Sequence, residues 1–204
     1  MITLNYVIYD TIANGCLLAF AILIFKNIRF AWFLILASLA IKVFIYGKYG
    51  MFSSSIYLSA QILTSIIATV VWLKEPCYTA PTKQKKLQSI ISSLVVLVIW
   101  VGLMYKYVNP AIIDYEVLFG FDYLCYMLVV VGAVFLCFRL AIGLLFISVE
   151  FISYAVNYAN SAMVVENAPQ YIKDFAPYYW VSAVLLFIAG VLLVASYTSA
   201  KRNV

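Results

Sequence analysis

The chain has 204 residues, is 67% hydrophobic and 10% charged, and carries a formal net charge of +5. A soluble domain carries about 25% charged residues, so this composition excludes a water-soluble fold and indicates an all-α integral membrane protein. Histidine is absent, which removes imidazole as a haem or metal ligand and as a catalytic base; no metal or cofactor is expected.

Crossing the hydrocarbon takes about 20 apolar residues. The apolar runs predict seven transmembrane helices, near 5–25, 30–47, 55–73, 88–107, 117–138, 140–160 and 176–196. Segment one lacks a basic leader and is long enough to span, so it is expected to be retained rather than cleaved. It carries Tyr9-Asp10, with Asn14 one turn later. Segment two opens Arg29-Phe30-Ala31 and places Ser38 nine residues after the arginine. Residues three, four and seven apart share a helix face, so Ser38, Lys42 and Tyr46 form a polar stripe. Tyr57, Gln61 and Thr64 form another in segment three.

The connection from Lys74 to Leu87 contains Pro76, Pro81 and a Lys-Gln-Lys-Lys run. It reads as a solvated topology signal, with contact to anionic lipid as the other reading. Segment four follows without an obvious partner. Segment five contains Phe121-Asp122, with Tyr126 one turn on. Segment six opens Arg139-Leu140-Ala141, places Ser148 nine residues later, and bears Glu150, Tyr154 and Asn157 at helical spacing. Only Arg139 marks its boundary with segment five, but 44 residues from 117 to 160 are too many for one crossing. Segment seven begins with Tyr178-Tyr179-Trp180, an interfacial aromatic belt. Cys16, Cys125 and Cys137 lie in apolar segments and Cys77 in a loop, so no disulfide framework is implied.

The echo of the first three segments in the last three predicts a 3+1+3 parallel repeat. Residues 1–75 form the first three-helix unit, 76–110 the linker and connecting helix, and 111–204 the second unit. An odd helix between the units returns the second to the orientation of the first, an arrangement used by transporters with a central site. Nine of the thirteen basic residues fall in loops on one side, against Lys48, Lys106 and Lys173 on the other. This predicts a multi-pass cell (inner) membrane protein with its N-terminus outside and its C-terminus cytoplasmic. No basic patch with interleaved aromatics points to nucleic acid.

A charged residue at a helix centre costs roughly 2.5–3.5 kcal/mol on insertion scales, so such residues face a cavity or a partner. Lys42 and Glu150 lie about 18 and 15 Å from the cytoplasmic helix ends at about 1.5 Å per residue. They are expected to pair, directly or through a substrate. Asp10 and Asp122, nearer the outer ends, are expected to act as gate residues. No phosphotransferase motif, Ser-His pair or metal cluster is present, and Glu150 alone is no acid–base pair, so an enzyme is not expected.

Further residues carry a family resemblance. Trp32 follows the basic turn Lys26-Asn27-Ile28-Arg29. Tyr49-Gly50-Met51-Phe52 leads to Gln61, then to Trp72 eleven residues later, and Phe121-Asp122 opens segment five. With the 3+1+3 plan, these resemble the PnuC-type transporters of nicotinamide riboside, full-length bacterial relatives of SWEET transporters. Where that family presents two tryptophans in its sixth helix, Gly143 to Glu150 offers Phe146 as its one aromatic. The resemblance implies facilitated diffusion of a small vitamin or nucleoside by rocking of two three-helix bundles. The polar groups of Lys42, Gln61, Glu150, Tyr154 and Asn157 would bind ribosyl hydroxyls, and Trp32, Tyr57 and Phe146 would flank a ring. It also implies a homotrimer in the bilayer. The alternative reading is a non-transporting accessory, assembly or immunity subunit with a transporter-like fold.

Overall fold

The computed structural model describes residues 4–48, 52–74, 78–107, 121–167, 169 and 173–202. Among these the chain forms seven helices: α1 (Leu4–Phe25), α2 (Ala31–Lys48), α3 (Phe52–Lys74), α4 (Lys83–Tyr107), α5 (Phe121–Cys137), α6 (Gly143–Glu166) and α7 (Ala176–Arg202). Three of them, α1, α2 and α7, are long and apolar enough to cross a membrane. Segments five and six are separate helices, as expected. Pro81 precedes α4 and Pro177 sits in the first turn of α7, where a missing N–H costs no helical hydrogen bond.

The bundle is apolar on its outside. Leu63, Ile67 and Val70 on α3, Leu94 and Val98 on α4, and Val184, Phe187 and Val191 on α7 are all exposed. Its interior contains Asp10, Asn14, Gln61, Ser148 and Glu150. A contiguous apolar surface of this extent suits lipid rather than water.

Six helices form a closed ring of neighbours. α1 packs on α2 and α7, α3 on α2 and α5, and α6 on α5 and α7. α4 lies outside the ring, against α5 and more lightly against α3. Small residues permit the closest approaches, as in membrane helix pairs generally. A Cβ on Gly132 would stand 2.7 Å from the Gly143 carbonyl oxygen, so α5 and α6 meet backbone to backbone there. At the α6–α7 contact, the Ser148 hydroxyl donates to the Gly190 carbonyl at 3.0 Å.

Two turns at one end of the bundle share a backbone pattern. In the first, Asn27 has φ 55° and in the second Arg139 has φ 60°. Asn27 N–H donates to Ile24 and Ile28 N–H to Leu23, at 2.9 and 2.8 Å; Arg139 N–H donates to Leu136 and Leu140 N–H to Phe135, at 2.9 and 3.0 Å. This is the Schellman arrangement, with a left-handed residue just past each helix. Three further bonds around each turn also correspond: Lys26 to Ile22 with Phe138 to Val134, Ala31 to Ile28 with Gly143 to Leu140, and Phe33 to Phe30 with Leu145 to Ile142.

Every one of these pairs is separated by 112 residues, as are Asp10 and Asp122. The Arg-x-Ala and Ser matches suggested 110, and the backbone corrects that register by two. Burial agrees: Ala31, Trp32, Ile35, Ser38 and Leu39 are buried, and so are Gly143, Leu144, Ile147, Glu150 and Phe151, each 112 residues on. A two-residue shift turns a helix by about 200°, and the 110 register would set buried Trp32 and Leu39 against exposed Ile142 and Val149.

The linker before α4 is docked rather than free. Thr79 N–H donates to the Arg139 carbonyl at 3.0 Å. Tyr78 packs edge-on against Trp72 with ring centroids 4.9 Å apart, and burial raises its phenol well above the ordinary range.

Candidate polar centre between α1, α2 and α6

The centre is built from three helix faces. α1 contributes Asp10 and Asn14, one turn apart and both buried. α6 contributes Glu150, Tyr154 and Tyr158 at successive i+4 positions, with Glu150 buried. α2 contributes Lys42 and Tyr46. The Tyr158 hydroxyl donates to the Asp10 carboxylate, and Asn14 adjoins the same hydroxyl. This bond joins α6 to α1.

The Lys42 ammonium lies 5.8 Å from the centroid of the Tyr154 ring, within the range of a cation–π contact. Glu150 lies one turn before Tyr154 on α6, and the described contact of Lys42 is with the tyrosine ring. At the 112-residue spacing Lys42 corresponds to Tyr154 and Ser38 to Glu150. The 110-residue spacing of the arginine and serine matches would instead set Lys42 against Ile152 and Glu150 against Ala40.

Aromatic rings surround these polar groups. Tyr6 stacks on Tyr46 with centroids 6.5 Å apart, and Tyr179 of α7 lies 6.1 Å from Tyr158. The Thr11 and Ser182 hydroxyls, 3.1 Å apart, join α1 to α7 beside this set. Asp10 keeps a second carboxylate oxygen, Oδ1, with no hydrogen-bond partner among the described residues. An unsatisfied buried acceptor costs about 1–3 kcal/mol.

The remaining predicted site residues are placed as follows. Gln61 is buried on α3, its Nε2 without a described partner. Asn157 is half-buried on α6. Trp32 is fully buried, in an aromatic stack with Phe20 at 5.4 Å and Trp72 at 6.4 Å. It lies about 15 Å along α2 from Lys42. Phe146 packs on Phe135 of α5 at 5.5 Å, one turn before Glu150. Trp32 and Phe146 thus belong to interhelical packing in this conformation, away from the Lys42–Tyr154 contact. The side chains of Tyr57 and Asp122 lie outside the described residues.

Sequence reasoning missed Tyr158, Tyr6 and Tyr179. The signal for Tyr158 was its i+4 spacing from Tyr154, which continues the stripe begun at Glu150. Comparison with protein-family models, curated proteins and solved structures gives no match for this chain.

Proposed function

We propose that this protein is a membrane carrier for a small polar solute, moved by alternating access of two three-helix bundles. The observation that carries the reading is the pair of buried carboxylates, Asp10 and Glu150, with the half-buried Lys42 ammonium over the Tyr154 ring, inside an apolar-surfaced bundle. Groups this costly in a membrane mark solute or ion pathways.

The neighbour relations support a 3+1+3 plan. Exchanging α1 with α5, α2 with α6 and α3 with α7 converts the α1–α2 contact into α5–α6, α2–α3 into α6–α7, and α3–α5 into α7–α1. The matching turns support the same exchange. Lys42 over Tyr154 brings together two corresponding positions, as expected at a pseudo-two-fold axis. A solute at this axis would meet one carboxylate and one ammonium, with tyrosine rings around them. These groups suit hydroxyls and a flat ring, as in nicotinamide riboside or a related nucleoside, taken up by facilitated diffusion. The basic loops on one side support an orientation with the N-terminus outside and the C-terminus in the cytoplasm.

Uptake of radiolabelled nicotinamide riboside, thiamine and riboflavin into proteoliposomes tests the proposal. Uptake of at least one, reduced tenfold or more by Glu150→Gln, is the expected result. The sealed stack of Phe20, Trp32 and Trp72 favours a second reading, a non-transporting accessory subunit. Absence of uptake for all three solutes would exclude the vitamin assignment and leave that reading in place.

A further inference from the structure

A cavity of about 500 Å³ lies between the start of α4, the α5–α6 turn and the last turns of α7. It is separate from the polar centre. Its wall is largely apolar, with Ile90, Phe135, Leu140 and Tyr197 among the lining side chains. Two lysines, Lys86 and Lys201, also line it, and both are exposed. None of its described lining residues is acidic.

A third cation stands close by. Lys85 Nζ donates to the hydroxyl of Thr79, a lining residue, at 3.0 Å. The Thr79–Arg139 backbone bond holds the linker against the α5–α6 turn and so fixes one wall. The apolar lining continues at Ile90 onto the exposed face of α4, where Leu87, Ile91 and Leu94 are turned outward.

These features select an occupant. The volume falls within the roughly 300–1,000 Å³ typical of ligand sites. A chamber walled mainly by apolar side chains, with Thr79 and Tyr197 as its hydroxyls, offers few partners for a small polar solute, and burying polar groups unpaired costs free energy. A molecule with a long apolar part and an anionic head satisfies both wall and rim. Basic pockets between membrane helices on the cytoplasmic side bind anionic lipid heads in this way.

We propose that the cavity holds one anionic phospholipid of the cytoplasmic leaflet. Its phosphate lies between Lys86 and Lys201, and an acyl chain runs past Leu140 and Phe135. The lipid clamps the connecting helix to the second three-helix unit, where direct packing of α4 is light. The inference rests on the membrane reading and not on transport.

The test uses the full-length protein in detergent. Native mass spectrometry is expected to show retained phosphatidylglycerol. Adding phosphatidylglycerol should raise Tm by several degrees, and phosphatidylcholine should not. The Lys86→Gln/Lys201→Gln variant should retain at least fivefold less phosphatidylglycerol. Lys83→Gln/Arg202→Gln removes the same charge from exposed positions off the cavity and should retain it as the parent does. Ala141→Leu, which fills the chamber without altering charge, should also displace the lipid. Equal stabilisation by phosphatidylcholine, equal loss in both charge variants, or equal stabilisation by glycerol phosphate alone would each overturn the proposal.

Discussion

Tyr158 and Asp10 form the contact on which the polar centre depends. The tyrosine is the described donor to a buried carboxylate, and it joins two helices from opposite ends of the chain. Tyr158→Phe keeps the ring packing on Tyr179 and removes only the hydroxyl. Hydrogen bonds between membrane helices contribute about 0.6 kcal/mol on average and up to about 1.7. A charged acceptor left unpaired raises the cost, so we expect a loss of about 1–2 kcal/mol in reversible unfolding in detergent. An unchanged stability would mean that water or another donor replaces the hydroxyl fully. The Lys42–Glu150 relation is testable as a double-mutant cycle with Lys42→Met and Glu150→Gln. Coupled groups show about 0.5–3 kcal/mol of non-additivity, whereas additive losses would show that the two charges act independently.

At the scale of elements, backbone approach dominates. Gly132 and Gly143 lie where α5 meets α6, and neither has space for a side chain. Gly143→Val should therefore separate the two helices and cost several kcal/mol by overpacking, seen as a lowered Tm or loss of the monodisperse peak. Gly15 provides the contrast, because a Cβ there would meet nothing within 4 Å. Gly15→Ala should stabilise α1 by about 0.5–1 kcal/mol through helix propensity. If both substitutions behaved alike, close approach would not be what holds α5 to α6.

Much of this element structure was legible in the sequence. The predicted apolar runs agree closely with the helices in position, and three of them, α1, α2 and α7, are long and apolar enough to cross a membrane. The break between α5 and α6 was also readable, since the 44 residues from 117 to 160 exceed one crossing. The register of the echo was not. Arg29 and Arg139 look equivalent by identity, yet the left-handed turn positions are Asn27 and Arg139. Backbone conformation decides the register there, and arginine carries little information about φ. Trp32 was set beside a solute by the family resemblance alone, since a tryptophan on a helix serves a binding site and a packed core equally well in sequence. Burial against Phe20 and Trp72 assigns it to the core in this conformation.

For the whole molecule, the ring of six helices makes a mechanical prediction. On the proposed plan, α1 and α7 belong to different three-helix units, and Thr11 and Ser182 bridge them at 3.1 Å. Cysteines at these two positions, in a background without Cys16, Cys77, Cys125 and Cys137, should crosslink on oxidation. If the units rock against each other, crosslinking should cut uptake at least tenfold and reduction should restore it. A crosslinked protein that still transports at the full rate would exclude motion at this interface.

Sequence alone determined that the chain is helical and membrane-like, where its helices run, and which polar residues are too costly to face lipid. These follow from composition and local periodicity, because the bilayer leaves a segment few ways to satisfy its backbone. Only the tertiary structure decided which polar residues meet. It joined Asp10 to Tyr158 and set Lys42 over Tyr154, pairs more than 100 residues apart whose contact depends on helix rotation and register. It also sent Trp32 and Phe146 into the packing, and it gathered Lys86, Leu140 and Lys201 around one cavity. No local pattern encodes such meetings, since each depends on how separate helices pack.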